Sequence, residues 1–91
     1  MIKRLVISGK VQGVGFRHWL QSVAIEKSIF GWVKNKISGD VETLIVGNER
    51  KVEDLIKLCE QGSPLSKVDQ VKVSEYKKNY LKKSFDIIKS D

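Results

Sequence analysis

Ile2 to Ser8 is a short run rich in Ile, Val and Leu, closed by Gly9, and it predicts a β-strand. From Phe16 the apolar period lengthens: Phe16, Trp19, Leu20, Val23 and Ala24 recur at helical spacing, the stripe of a helix packed on a sheet. Phe30 to Lys36 and Val41 to Val46 read as two further strands, joined through a hairpin-type turn signal at Ser38-Gly39. In the second of them Val41, Thr43 and Ile45 alternate with Glu42, Leu44 and Val46, which predicts one wetter face. Asn48 stands where it can cap a second helix, whose apolar positions are Val52, Leu55, Ile56 and Cys59 and which ends at Gly62-Ser63-Pro64. Val68 to Val73 supplies a fourth strand and Ser84 to Ile88 a short terminal one. The order β-α-β-β-α-β with an added strand predicts the α/β (α+β) class: a ferredoxin-like split β-α-β sandwich with a mainly antiparallel sheet and both helices on one face.

A chain of 91 residues is the size of one domain, here residues 1–91, and leaves no room for a second core. No apolar run approaches the roughly 20 residues that span a bilayer, so no membrane is expected. Met1-Ile2-Lys3-Arg4 leads straight into the first strand without a secretory pattern, and the cytoplasm is the expected compartment. The lone cysteine, Cys59, has no disulfide partner and belongs to no metal-ligand spacing, so it is expected in the core. A formal charge of +6 favours anionic partners without choosing among them. The densest basic group, Lys77, Lys78, Lys82 and Lys83, reads as a solvated loop, and no specific nucleic-acid partner is expected from it.

Chemistry is concentrated between the first strand and the first helix, in Gly9-Lys10-Val11-Gln12-Gly13-Val14-Gly15-Phe16-Arg17. Three glycines there let the backbone turn so that successive N–H groups converge, and the first helical turn adds unpaired donors and a partial positive charge. Together they make a small anion cradle with an arginine beside it. In a split β-α-β fold this loop and the end of the second strand can approach one another, which couples Arg17 to Asn35. Taken singly, each has a plainer reading: an arginine at a helix start is often solvated, and an asparagine before a turn often bonds its own backbone.

That glycine segment, followed by Gly31-Trp32-Val33-Lys34-Asn35 and Gly39-Asp40-Val41-Glu42, closely resembles the two signature segments of the acylphosphatase family, and the resemblance runs through nearly the whole chain. It implies hydrolysis of an acyl phosphate to a carboxylate and inorganic phosphate with no metal and no organic cofactor. By position, it implies that Arg17 binds the phosphoryl group and Asn35 orients the attacking water. The amides of Gln12, Gly13, Val14, Gly15, Phe16 and Arg17 would complete the phosphate cradle. The implied partners are a small-molecule acyl phosphate and inorganic phosphate, and a monomer is expected. The sequence departs from the family pattern at Ser38, where aspartate is common, at Ser28, where glycine often ends the first helix, and at Gly62-Ser63-Pro64, which is usually richer in proline.

Two other functions suit the same element order. An RNA-recognition module would carry stacking aromatics on its central strands, and Asp40-Val41-Glu42-Thr43-Leu44-Ile45-Val46 has none. An accessory domain that binds an anion without turning it over shares the cradle but has no need to keep both Arg17 and Asn35. His18 neighbours Arg17 in sequence but points about 100° away around the helix, so a surface or structural role is expected of it rather than a catalytic one. Trp19 belongs to the helix stripe, Trp32 suits either the cleft or the core with the core expected, and Asp40 and Glu42 are expected to serve the turn and the polar strand face.

Overall fold

The computed structural model describes residues 1–91. The elements are β1 (Ile2–Lys10), α1 (Phe16–Glu26), β2 (Phe30–Asn35), β3 (Val41–Val46), α2 (Glu49–Gln61), β4 (Lys67–Glu75) and β5 (Phe85–Ile87). Each forms where the apolar period placed it, with ends displaced by a residue or two, because strand ends depend on partners that pattern alone does not reveal. The strands line up as β4-β1-β3-β2-β5. Pairing is antiparallel throughout except between β2 and β5, where Gly31 faces Phe85 and Val33 faces Ile87 in parallel. This is the expected ferredoxin-like α+β arrangement with one more strand at its edge.

One face of the sheet is the core. Leu5, Ile7, Val33, Val41 and Ile45 join Phe16, Leu20 and Ala24 of α1 and Val52, Leu55 and Cys59 of α2 in one buried apolar cluster. Burial of this kind is the main stabilising term for a chain without disulfides. Burial also pushes the Cys59 thiol up to about 12, which leaves it protonated and unreactive at neutral pH.

The opposite face departs from expectation in two respects. Val41 to Ile45 are all buried, Glu42 being only 6% exposed and Leu44 fully covered, so β3 has no wet face. β3 is the middle strand, and the long side chains of its neighbours fold over it: Arg4 stands opposite Leu44 from β1, and Trp32 and Lys34 stand opposite Leu44 and Glu42 from β2. Glu42 is tied there to Arg4, and to Lys34 and Lys36 at 3.6 and 3.4 Å. Burial would raise its pKa, but hydrogen bonds and charge from Arg4 and Lys36 outweigh that and hold the carboxyl below its usual range. Trp32, expected in the core, lies half-buried on this face with the Lys34 ammonium 5.5 Å from its ring centroid.

Ser28 shows what the departure at that position means. The end of α1 closes as a Schellman turn, with Ile29 N–H bonding Ala24 C=O at 2.8 Å and Ser28 N–H bonding Ile25 C=O at 3.0 Å. The residue between must be left-handed, and Ser28 takes φ 57°, the only residue other than glycine with positive φ. Ser28→Gly should therefore raise stability by about 0.5–1 kcal/mol and the Tm by a few degrees. A lower Tm by thermal unfolding would show that the serine side chain contributes more than its backbone strain removes.

Candidate functional site

β1 and β2 both run antiparallel to β3, so they run parallel to each other and their C-terminal ends lie at the same edge of the sheet. The loop after β1 and the last residue of β2, Asn35, therefore meet the N-terminus of α1 at one place. This is where parallel strands and a following helix leave a crevice for ligands.

Gln12 ties the loop to that place. Its Nε2 donates to the carbonyls of Lys36 and Asp40, both at 2.8 Å, across the mouth of the β2–β3 hairpin, where Lys36 N–H itself bonds Asp40 C=O at 2.9 Å. The side chain of Gln12 is thus committed to holding the loop against the hairpin, and only its backbone amide is free to meet a ligand. Sequence reading placed Gln12 in the cradle and had no signal for this brace, because its acceptors are backbone carbonyls of a distant hairpin.

From the brace the chain turns through Gly13 (φ 72°) and Gly15 (φ 78°), which acts as the N-cap of α1. A Cβ at either glycine would meet no atom within 4 Å, so glycine is required there for backbone conformation rather than for space. The backbone N–H groups of Gln12, Gly13, Val14, Gly15, Phe16, Arg17 and His18 donate to no protein acceptor. No side chain caps α1, and no acidic residue stands in its first turn. α2 is finished in the opposite way: Asn48 Oδ1 accepts from Lys51 N–H at 2.9 Å, and Glu49 follows. One helix start is satisfied by its own chain, while the other presents its donors and its positive dipole end outward.

Phe16 is buried in the core against Trp19, their ring centroids 5.3 Å apart, and this anchors the first turn of α1. The next residue, Arg17, is half-buried and enters no ion pair or side-chain hydrogen bond with the protein. The nearby cations of the hairpin are different: Lys34 and Lys36 are paired with Glu42 and with Asp91. Arg17 therefore holds an unspent guanidinium fork beside the free amides. His18 is exposed and makes no side-chain hydrogen bond with the protein.

Asn35 follows Val33 in alternation, and Val33 is fully buried in the core while Lys34 and Lys36 reach Glu42 on the opposite face. The Asn35 side chain is therefore on the helix side of the sheet, with the loop. Its Oδ1 is buried and has no hydrogen-bond partner in the protein. A carbonyl oxygen left in that state costs about 1–3 kcal/mol, so a strong acceptor is held out of solvent and unused. Asp40 serves the turn, as expected, through its backbone carbonyl and through a long bond of 3.4 Å from its N–H to Ser38 Oγ.

The cradle is a shallow dish rather than an enclosed cavity, with Gly13 and Gly15 exposed. A concavity of about 170 Å³ lies elsewhere, on the open sheet face between Ser8, Asp40 and Lys72. A small tetrahedral anion with most of its bulk in solvent suits such a dish. A planar cofactor that must be enclosed does not.

The model of a family described as Acylphosphatase matches residues 3–87. An acylphosphatase of Acidiphilium cryptum is 42% identical over 69 residues, which cover 76% of each chain. The crystal structure of an acylphosphatase from Bacillus subtilis superposes with a TM-score of 0.92 at 37% identity, covering 98% of this chain and 100% of that one. Full-length HypF in a phosphate- and nucleotide-bound form contains a similar unit: the TM-score is 0.84 at 32% identity, covering 98% of this chain but 12% of HypF.

Proposed function

The chain belongs to the acylphosphatase family and is an enzyme that hydrolyses acyl phosphates, and we propose that Arg17 binds the phosphoryl group while Asn35 orients the attacking water. The observation that carries this reading is the open N-terminus of α1: an uncapped run of amides from Gln12 to His18 beside an unpaired Arg17. Phosphoryl transfer asks a protein mainly for position and for stabilisation of charge on the equatorial oxygens. The guanidinium fork gives two parallel donors to two of those oxygens, and the amides of Gly13, Val14, Gly15, Phe16 and Arg17 supply converging donors. None of these groups reorganises when charge develops, because Phe16 in the core and Gln12 on the hairpin already fix the loop.

The leaving group is a carboxylate whose conjugate acid has a pKa near about 4, so it departs at neutral pH without a proton from the enzyme. Asn35 is not a base. Its buried Oδ1 accepts a hydrogen bond from water and aims a lone pair at phosphorus, and the proton passes to a phosphate oxygen of the substrate. No step requires a metal or organic cofactor. The substrates are small molecules, and the reading is of one domain over residues 1–91 working as a monomer in the cytoplasm, without specific nucleic-acid binding. No helix is long and apolar enough to cross a membrane. On the open sheet face Trp32 of β2, which could stack on a base, already carries Lys34.

Hydrolysis of a simple aromatic acyl phosphate in the presence of a chelator tests the reading. Turnover should be unaffected by the chelator and competitively inhibited by inorganic phosphate, since product and substrate share the cradle. Phosphate that protected the protein against thermal unfolding without competing with substrate would place the anion site elsewhere.

A further inference from the structure

The parallel pairing of β5 with β2 does not stop at Ile87. Gly31 N–H bonds Ser84 C=O at 2.9 Å and Ile88 N–H bonds Val33 C=O at 2.9 Å, the regular parallel ladder. Continued in register, that ladder would bring Ser90 N–H to the carbonyl of Asn35. Instead the donor is Asp91, at 3.2 Å, so the chain has slipped by one residue. A one-residue slip moves a side chain to the other face of a sheet. Phe85 faces the core, and in register Asp91 would fall on that same side, with the cradle, where a carboxylate would repel an anionic substrate. After the slip its carboxylate lies with Lys34 and Lys36 at 3.3 and 3.8 Å, on the side away from Arg17's helix.

The consequence is a clasp around one residue. Asn35 is paired with Val41 of β3 on one side, its carbonyl is held by Asp91 on the other, and the residues before and after it are both tied to the Asp91 carboxylate. Lys34 and Lys36 are held a second time by Glu42. Asn35 ends its strand, where backbone ordinarily frays, yet its Oδ1 must keep one direction without any side-chain hydrogen bond of its own. With no hydrogen bond on the side chain, its aim depends on the backbone that carries it.

We propose that Asp91 is a positioning residue, which fixes the aim of Asn35 by clasping the backbone at Asn35 and the side chains of Lys34 and Lys36. This rests on the reading of Asn35 as the residue that orients water. Asp91 touches no reacting atom in this role, and its carboxylate lies on the face of the sheet opposite the cradle, so its loss should act on kcat and not on anion binding.

The test is a cycle of Asp91→Ala, Asn35→Ala and the double variant, with kcat and KM for an aromatic acyl phosphate, the affinity for inorganic phosphate, and the Tm measured for each. Enzyme concentration is raised in the slow variants so that turnover stays above spontaneous hydrolysis. Asp91→Ala should lower kcat about fivefold, with phosphate affinity within about twofold of the wild type. In the Asn35→Ala background the same substitution should change nothing further, because its target is gone. A merely structural role would instead give equal losses in both backgrounds, and that result overturns the proposal. So does full turnover in Asp91→Ala while Asn35→Ala is impaired. Full turnover in Asn35→Ala would refute the reading of Asn35 itself, a different failure that the same cycle identifies.

Discussion

Arg17→Gln should lower kcat/KM for an aromatic acyl phosphate by about 10²- to 10³-fold, and Arg17→Lys should fail to restore it. The two substitutions separate charge from geometry. Glutamine removes the charge; lysine keeps it as a point and loses the planar fork that meets two phosphate oxygens at once. Removing a preorganised group that stabilises transition-state charge costs about 3–4 kcal/mol in comparable sites. Phosphate should bind more weakly to both variants, since the guanidinium serves the bound anion as well as the transition state. Stability should hardly change, because Arg17 makes no ion pair or side-chain hydrogen bond within the protein. Near-normal turnover in Arg17→Lys, with folding intact by circular dichroism, would remove the residue from its assigned role.

Asn35→Ala has a different expected signature. It should reduce kcat by about 10²-fold or more while leaving the affinity for inorganic phosphate nearly unaltered, since product binding needs the cradle and not the water. The same substitution should leave the Tm unchanged or raise it. A buried acceptor without a partner carries a desolvation penalty, and deleting it removes that penalty together with the activity. Loss of turnover with a higher Tm would mark a group kept for function at the expense of folding. A large loss of phosphate affinity would make Asn35 part of the cradle instead, and a marked fall in Tm would make it structural.

Much of this was legible in the chain. The period of Phe16, Leu20 and Ala24 and that of Val52, Leu55 and Cys59 predicted two helices with one buried stripe each, and all six residues are buried. Helix and strand periods are local properties, so sequence alone reports them. The glycine cradle was legible for the same reason, because positive φ at Gly13 and Gly15 is a requirement of the local backbone. Ser28 was visible as a departure, and its left-handed conformation is where the departure led.

The rest depended on which strands are neighbours. The expectation of a wet face on β3 failed because alternation states which side a residue points to, not what covers that side. Arg4 and Trp32, 28 residues apart in sequence, close over Leu44 only because β1 and β2 flank β3. Trp32 was misplaced for the same reason, its size suggesting a core that lies on the other side of the sheet.

By itself the sequence determined the element order, the residues of the buried face, the conformation of the cradle loop and, through its signature segments, the family. Only the tertiary structure decided that Gln12 braces the hairpin with its side chain, that Asn35 keeps a buried and unpartnered oxygen on the loop side, and that Asp91 arrives at Asn35 one residue out of register. The division has a physical cause. Local conformation follows from short-range sterics and from the spacing of apolar groups along the chain. The aim of a side chain follows from contacts between residues that only strand order and register bring together.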